Sequence, residues 1–180
     1  MSSVSPRFSL PSRLMHWLMA VLIVAMLFIG VGMAASVSQR YSLLVSIHKP
    51  LGMVILVLVA IRFANRLFNK PPPLPENLPL IRRLAAHASH MVLYVLMFVM
   101  PLLGWSMLSA EGYPIVLFGS WQLPPILPQQ EAVYAVLRRS HTILAYVLFV
   151  AVMMHLAAAL YHGLIRRDGV LESMASWRGK

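Results

Sequence analysis

Seven histidines punctuate this sequence: His16, His48, His87, His90, His141, His155 and His162. All fall within, or at the ends of, long apolar runs. An ionisable side chain inside a bilayer is costly and calls for a partner or a function. Neutral imidazole is also a common axial ligand to haem iron. His155 follows His141 by fourteen residues, about 21 Å along a helix axis. Fourteen steps of about 100° leave the two side chains roughly 40° apart, on one helix face. His16 opens the first apolar run and is expected to match His155 in depth. His48 opens the second and is expected to match His141. Two bis-histidine pairs result, one towards each membrane face.

The residues around them support haem rather than zinc. A porphyrin lying on a helix needs a shallow surface, and residue i+4 shares the ligand's face. Those positions are Ala20, Gly52, Ala145 and Ala159 for the four paired histidines, but Met91, Tyr94 and Arg166 for His87, His90 and His162. Small residues also serve plain helix–helix contact in membranes. Zinc wants four ligands converging on one point, whereas His141 and His155 lie about 21 Å apart on one helix. His87 and His90 start the third run and compete with His16 as ligands on position alone. His162 is placed to meet a haem propionate, a quinone or only solvent. Met15, Met91, Met153 and Met154 are expected to pack in the core.

Helices must hold these side chains. Four stretches are long enough to span a bilayer, which takes about 20 helical residues: residues 14–34, 47–68, 87–108 and 139–165. In lipid the backbone satisfies itself within a helix, and no alternating pattern suggests a barrel. The expected fold is an all-α, four-transmembrane-helix bundle forming one domain over residues 1–180. Links fall at 36–46, at 69–86 with its rigid Pro71–Pro75 stretch, and at 109–138. The last carries Trp121 and the apolar run Ile115–Phe118 and reads as a cap on the membrane surface. Pro101 and Gly104 should kink or thin the third helix. The first run has the flanks of a signal peptide, but retention as a span is expected, with three more following.

Composition agrees. The chain is 59% hydrophobic, above the roughly half usual in soluble domains. The absence of cysteine excludes disulfides, cysteine-ligated clusters and thioether haem attachment. A net charge of +10 would raise nucleic acid as a partner of a soluble protein, but no basic block is interleaved with aromatics here. Eleven of the basic residues (Arg7, Arg13, Arg62, Arg66, Lys70, Arg82, Arg83, Arg166, Arg167, Arg178, Lys180) fall on one side of the expected bundle. Four, Arg40, Lys49, Arg138 and Arg139, fall on the other. The positive-inside rule then puts both termini in the cytoplasm.

Several motifs in order resemble the prokaryotic cytochrome b561 family: Leu14-Met15-His16-Trp17, Ile47-His48-Lys49-Pro50-Leu51-Gly52, Ala86-His87-Ala88-Ser89-His90 with Tyr94, Arg139-Ser140-His141-Thr142, and His155 to His162. The likeness runs from about Arg7 to Met174 and is weakest after Ser109. It implies a di-haem b-type cytochrome of the bacterial inner membrane, with ligand pairs His16–His155 and His48–His141, passing electrons to ubiquinone. The family is similar to cytochrome subunits of hydrogenases and formate dehydrogenases, and it includes members that oxidise superoxide. Arg40, Lys49, Arg138 and Arg139 are candidates for propionate contact or for steering a small anion inward. Ser12, Arg13 and His162 are candidate quinone contacts. The alternative is a non-enzymatic anchor and electron conduit for a periplasmic redox protein docked on the 109–138 segment. A haem-free transporter is disfavoured by the short chain and the lack of repeated halves.

Overall fold

The computed structural model describes residues 7–69 and 79–175. Lys70, Pro71–Pro75, Arg178 and Lys180 lie outside the described residues. Four long helices form the bundle: α1 (Leu10–Ala34), α2 (Gln39–Phe68), α3 (Leu80–Glu111) and α4 (Glu131–Leu160). A π-helical turn, Tyr161–Arg166, prolongs α4, and a short helix α5 (Val170–Ala175) follows. Strands β1 (Ile115–Leu117) and β2 (Trp121–Leu123) make an antiparallel hairpin between α3 and α4. All four long helices are long and apolar enough to cross a membrane.

The helices outrun the apolar stretches that announce them. α2 starts at Gln39 rather than Ile47, with the Ser38 hydroxyl accepting from the Arg40 N–H at 3.4 Å. α3 takes in Arg82 and Arg83, and α4 begins at Glu131. Hydrophobicity marks where a helix enters lipid, whereas the hydrogen-bonded ladder carries on into the polar zone. The links therefore shrink, and residues 112–130 alone join α3 to α4. α3 stays helical through Pro101.

Burial is concentrated where α1, α2 and α3 meet. Met19, Val59 and Met97 form that core, ringed by Ile23, Leu56, Leu93, Tyr94 and Phe98. Outward faces are apolar, as lipid requires. Met91, Met153 and Met154 belong to them, Met91 and Met154 at 65% and 68% exposure, whereas Met15 is half-buried; the fully packed core methionines are Met19 and Met97. Lipid tails solvate a thioether as well as a core does, so a methionine's hydropathy does not reveal which way it faces.

The two ends of the bundle are built differently. At the hairpin end, Gly112 closes α3 in the left-handed conformation (φ 78°), while the N–H of Tyr113 bonds the Leu108 carbonyl at 3.1 Å. The buried Ser109 hydroxyl donates to the Trp105 carbonyl (2.9 Å) and accepts from the Ile126 N–H (3.1 Å). The Trp105 indole holds the Pro124 carbonyl at 3.0 Å. Ile115 and Leu117 point inward, where β1 packs on α2 and α3. At the terminal end, α5 folds back under α1: Trp17 Nε1 donates to the Met174 carbonyl at 3.1 Å, and the Phe8 N–H to the Ser173 carbonyl at 3.3 Å. Gly163 permits this, because a Cβ there would collide with Leu171.

Candidate histidine-paired redox site

At the hairpin end, the rings of His48 on α2 and His141 on α4 face each other with centroids 6.2 Å apart and planes at 67°. Both are set by close neighbours. Gly104 of α3 lies against His141, where a Cβ would touch Cε1 at 3.6 Å, and Gly52 sits 3.7 Å from the Met26 methyl by the same measure. The Nδ1 atoms of His48 and His141 are buried without a hydrogen-bond partner.

At the terminal end, His16 on α1 and His155 on α4 have ring centroids 6.3 Å apart at 65°. Two further residues join them. His90 of α3 lies closer to His155, at 5.5 Å. Arg62 of α2 holds Nδ1 of His16 at 2.9 Å. Guanidinium can only donate, so His16 accepts at Nδ1 and carries its proton on Nε2. Position alone left His87 and His90 level as competitors; the fold brings His90 to His155, while His87 bonds the Arg83 carbonyl at 2.7 Å.

The donor set suits a six-coordinate haem iron. Two imidazole nitrogens, each about 2 Å from one metal ion, put their ring centroids roughly 6 Å apart. Both pairs have that spacing. A ligating histidine donates its other N–H to a carbonyl or carboxylate, and the unpartnered Nδ1 atoms of His48 and His141 are available to do so. For His16 to hold a metal through Nε2, Arg62 would have to release Nδ1 and the ring proton would have to move from Nε2 to Nδ1. No group of three or more metal-ligating side chains is found among the described residues.

The other expected contacts separate. The Ser12 hydroxyl accepts from Asn65 Nδ2 at 2.8 Å and meets Ser9 Oγ at 2.9 Å, while Arg13 is half-buried beside it on α1. His162, on the π-helical turn, donates Nδ1 to Asp168 at 2.7 Å, and Arg166 approaches the same oxygen at 3.3 Å. Burial alone pushes the Asp168 carboxyl up. The His162 hydrogen bond, the Val170 N–H and the charges of His162 and Arg166 outweigh it and hold the carboxyl below its ordinary value. Arg40, Lys49, Arg138 and Arg139 gather on the hairpin-end halves of α2 and α4. Arg138 is turned onto Tyr134 of its own helix, 3.2 Å from the hydroxyl. Sequence reasoning treated Arg62 as one more topology charge; its place inside the apolar run Ile61–Phe63, short of the link, was the available signal.

The family model described as prokaryotic cytochrome b561 matches residues 7–177. The chain is 32% identical to Cytochrome b561 homolog 2 of Escherichia coli (strain K12) over 171 residues, 93% of this chain and 90% of that protein. It is 28% identical over 165 residues to the Probable superoxide oxidase CybB of Yersinia pestis, covering 88% and 90%. Against Cytochrome b561 homolog 1 of E. coli (strain K12) the identity is 26% over 171 residues, covering 93% and 96%. With four membrane-spanning helices and a match along nearly its whole length, the chain belongs to the prokaryotic cytochrome b561 family, multi-pass bacterial membrane proteins of electron transfer.

Proposed function

We propose that this protein binds two haems b, one between His48 and His141 and one between His16 and His155, and carries electrons across the cytoplasmic membrane to ubiquinone. The observation that supports this most directly is the near-equal separation of the two histidine pairs, 6.2 and 6.3 Å, at opposite ends of α4. Bound there, haem iron supplies reversible one-electron chemistry. The chain's own work is to orient the imidazoles, exclude water with apolar helices and set the charge at each end. The basic bias of residues supports placing the terminal end in the cytoplasm and the hairpin end in the periplasm.

Superoxide is the favoured donor. Arg40, Lys49 and Arg139 line the hairpin end, and a cluster of cations draws a small anion inward. The relative from Y. pestis bears the name of a superoxide oxidase. Two superoxide anions give up one electron each and leave as dioxygen; one quinone takes both electrons and two protons to become quinol. A second reading rests on the hairpin: Phe118 and Trp121 are 70% and 73% exposed beside Tyr113, a surface on which a periplasmic redox protein would dock. The protein would then be a conduit and not an oxidase.

The test is the visible spectrum and haem stoichiometry of the purified protein. Two low-spin b haems per chain are expected, one lost in His48→Ala or His141→Ala and the other in His16→Ala or His155→Ala. A folded protein holding no haem after expression with ample haem would sink the reading. Turnover of superoxide by the isolated protein separates oxidase from conduit.

A further inference from the structure

A groove between α2 and α3 at the terminal end has a volume of about 580 Å³ and opens on the lipid-facing side of the bundle, where Met91 and Val95 are exposed. Its lining is sorted along its length. Arg66 and His87 sit at the mouth, and Phe63, Val95 and Phe98 form the apolar body. Val99, at the far end, follows His87 by twelve residues, about 18 Å along α3. One leaflet of hydrocarbon is half of a core about 30 Å thick, so the groove has the depth of a single acyl chain.

We propose that this groove binds one anionic phospholipid with a glycerol headgroup, its phosphate at Arg66 and one acyl chain laid along α3. The site stands on the chemistry of its lining and is independent of the reading that the histidine pairs hold haem. Three observations carry it. First, the mouth is cationic without compensation. Arg66 lines the groove, and Arg82 and Arg83 stand exposed about one turn before His87. Among the described residues none of the three pairs with a carboxylate, and both ion pairs found there are made by Asp168, beyond α4. Basic pockets between helices at a membrane face hold phospholipid phosphates, and a guanidinium meets phosphate with two parallel N–H donors. Secondly, Arg66 is already oriented. Its guanidinium lies 5.6 Å over the Tyr94 ring, and Phe63 packs edge-on to the same ring at 6.1 Å. The charge is thereby held where the polar mouth meets the apolar body. Thirdly, Nδ1 of His87 bonds the Arg83 carbonyl at 2.7 Å. A carbonyl only accepts, so Nδ1 carries the proton and Nε2 of the neutral ring is left as an acceptor. A glycerol headgroup brings the hydroxyl donor for it. The ammonium of phosphatidylethanolamine would instead face the arginines, which repel it.

The test uses the full-length protein as purified in detergent, with phosphatidylglycerol carrying a photoreactive diazirine on one acyl chain. Label is expected on peptides covering Phe63–Arg66 and His87–Val99, and unlabelled phosphatidylglycerol should displace it. Arg66→Gln should weaken phosphatidylglycerol binding about tenfold, as loss of a charge-assisted hydrogen bond does. Arg167→Gln, exposed at the same end of the bundle but outside the groove, should leave it unchanged. Val95→Trp, which fills the apolar body from the lipid side, should remove the label while the protein stays monodisperse. Met91→Trp replaces it if that variant does not assemble. Equal weakening by Arg66→Gln and Arg167→Gln overturns the site, because the attraction would then be to the charged surface at large. Label spread over all four long helices overturns it too. So does displacement by decylubiquinone or phosphatidylethanolamine as readily as by phosphatidylglycerol.

Discussion

Arg62 of α2 donates to Nδ1 of His16 on α1 across 2.9 Å, fixing which nitrogen of that imidazole carries the proton. Among the described residues no cation bonds His48 or His141, whose Nδ1 atoms have no hydrogen-bond partner there. The two pairs are therefore electrostatically unlike. On the proposed reading that each pair holds a haem, a fixed positive charge favours the reduced state of its neighbour, which would make the terminal-end centre the electron sink of the two.

Neutralising that charge tests the asymmetry. Arg62→Gln should lower the midpoint potential of the terminal-end centre by on the order of 50 mV, close to a tenfold shift in its one-electron equilibrium. The hairpin-end potential should not move. Redox titration followed in the visible spectrum reads both. Equal shifts at the two centres would mean that Arg62 acts through the fold and not through its charge.

The hairpin-end pair depends on a thin spot in α3. A Cβ on Gly104 would reach His141 Cε1 at 3.6 Å, an ordinary contact, so Gly104→Ala should be tolerated. Gly104→Leu overfills the site, a change that typically costs about 1–3 kcal/mol. The expected result is loss of the hairpin-end haem signature with the other kept. Loss of both, or of neither, would separate Gly104 from the positioning of His141.

Much of this was legible in the sequence, and the reason is physical. Lipid demands uninterrupted apolar helices, so four spans announce themselves by length. The fourteen-residue interval from His141 to His155 fixes depth and face from helix geometry alone. What stayed hidden depends on which helices are neighbours. Depth matched His16 to His155, but only the packing of α3 against α4 brings His90 nearer still. The Arg62–His16 bond likewise needs α1 beside α2. Helix ends were misplaced wherever polar residues such as Gln39, Arg82 and Glu131 continue a ladder beyond the apolar zone. Nor does any local pattern mark the π-helical turn at Tyr161–Arg166.

That turn sets up a steric prediction. α5 docks because Gly163 has no side chain, and a Cβ there would strike Leu171. Gly163→Ala should unseat residues 168–175, exposing them to hydrogen exchange and proteolysis. Leu171→Ala in the same chain should restore much of the protection, a coupling that two independent sites would not show. Additive losses would argue against direct contact.

The same fold-back should respond to acid through Asp168. Its folded-state carboxyl lies below the ordinary value, held there by His162 and Arg166 against the effect of burial. A depressed carboxyl contributes stability that is fully present above the unfolded pKa and is lost as pH falls through the folded one. Exchange protection of residues 168–175 should thus be steady near neutral pH and decline only below the usual carboxylate range. Asp168→Asn cannot make the charged contact, so its protection should be weaker at neutral pH and nearly flat across the same window. Trp17, whose indole is tied to the Met174 carbonyl, gives a second readout: its emission should shift with the wild-type transition and not with pH in the variant. An acid transition unchanged by Asp168→Asn would place the pH-sensitive group elsewhere.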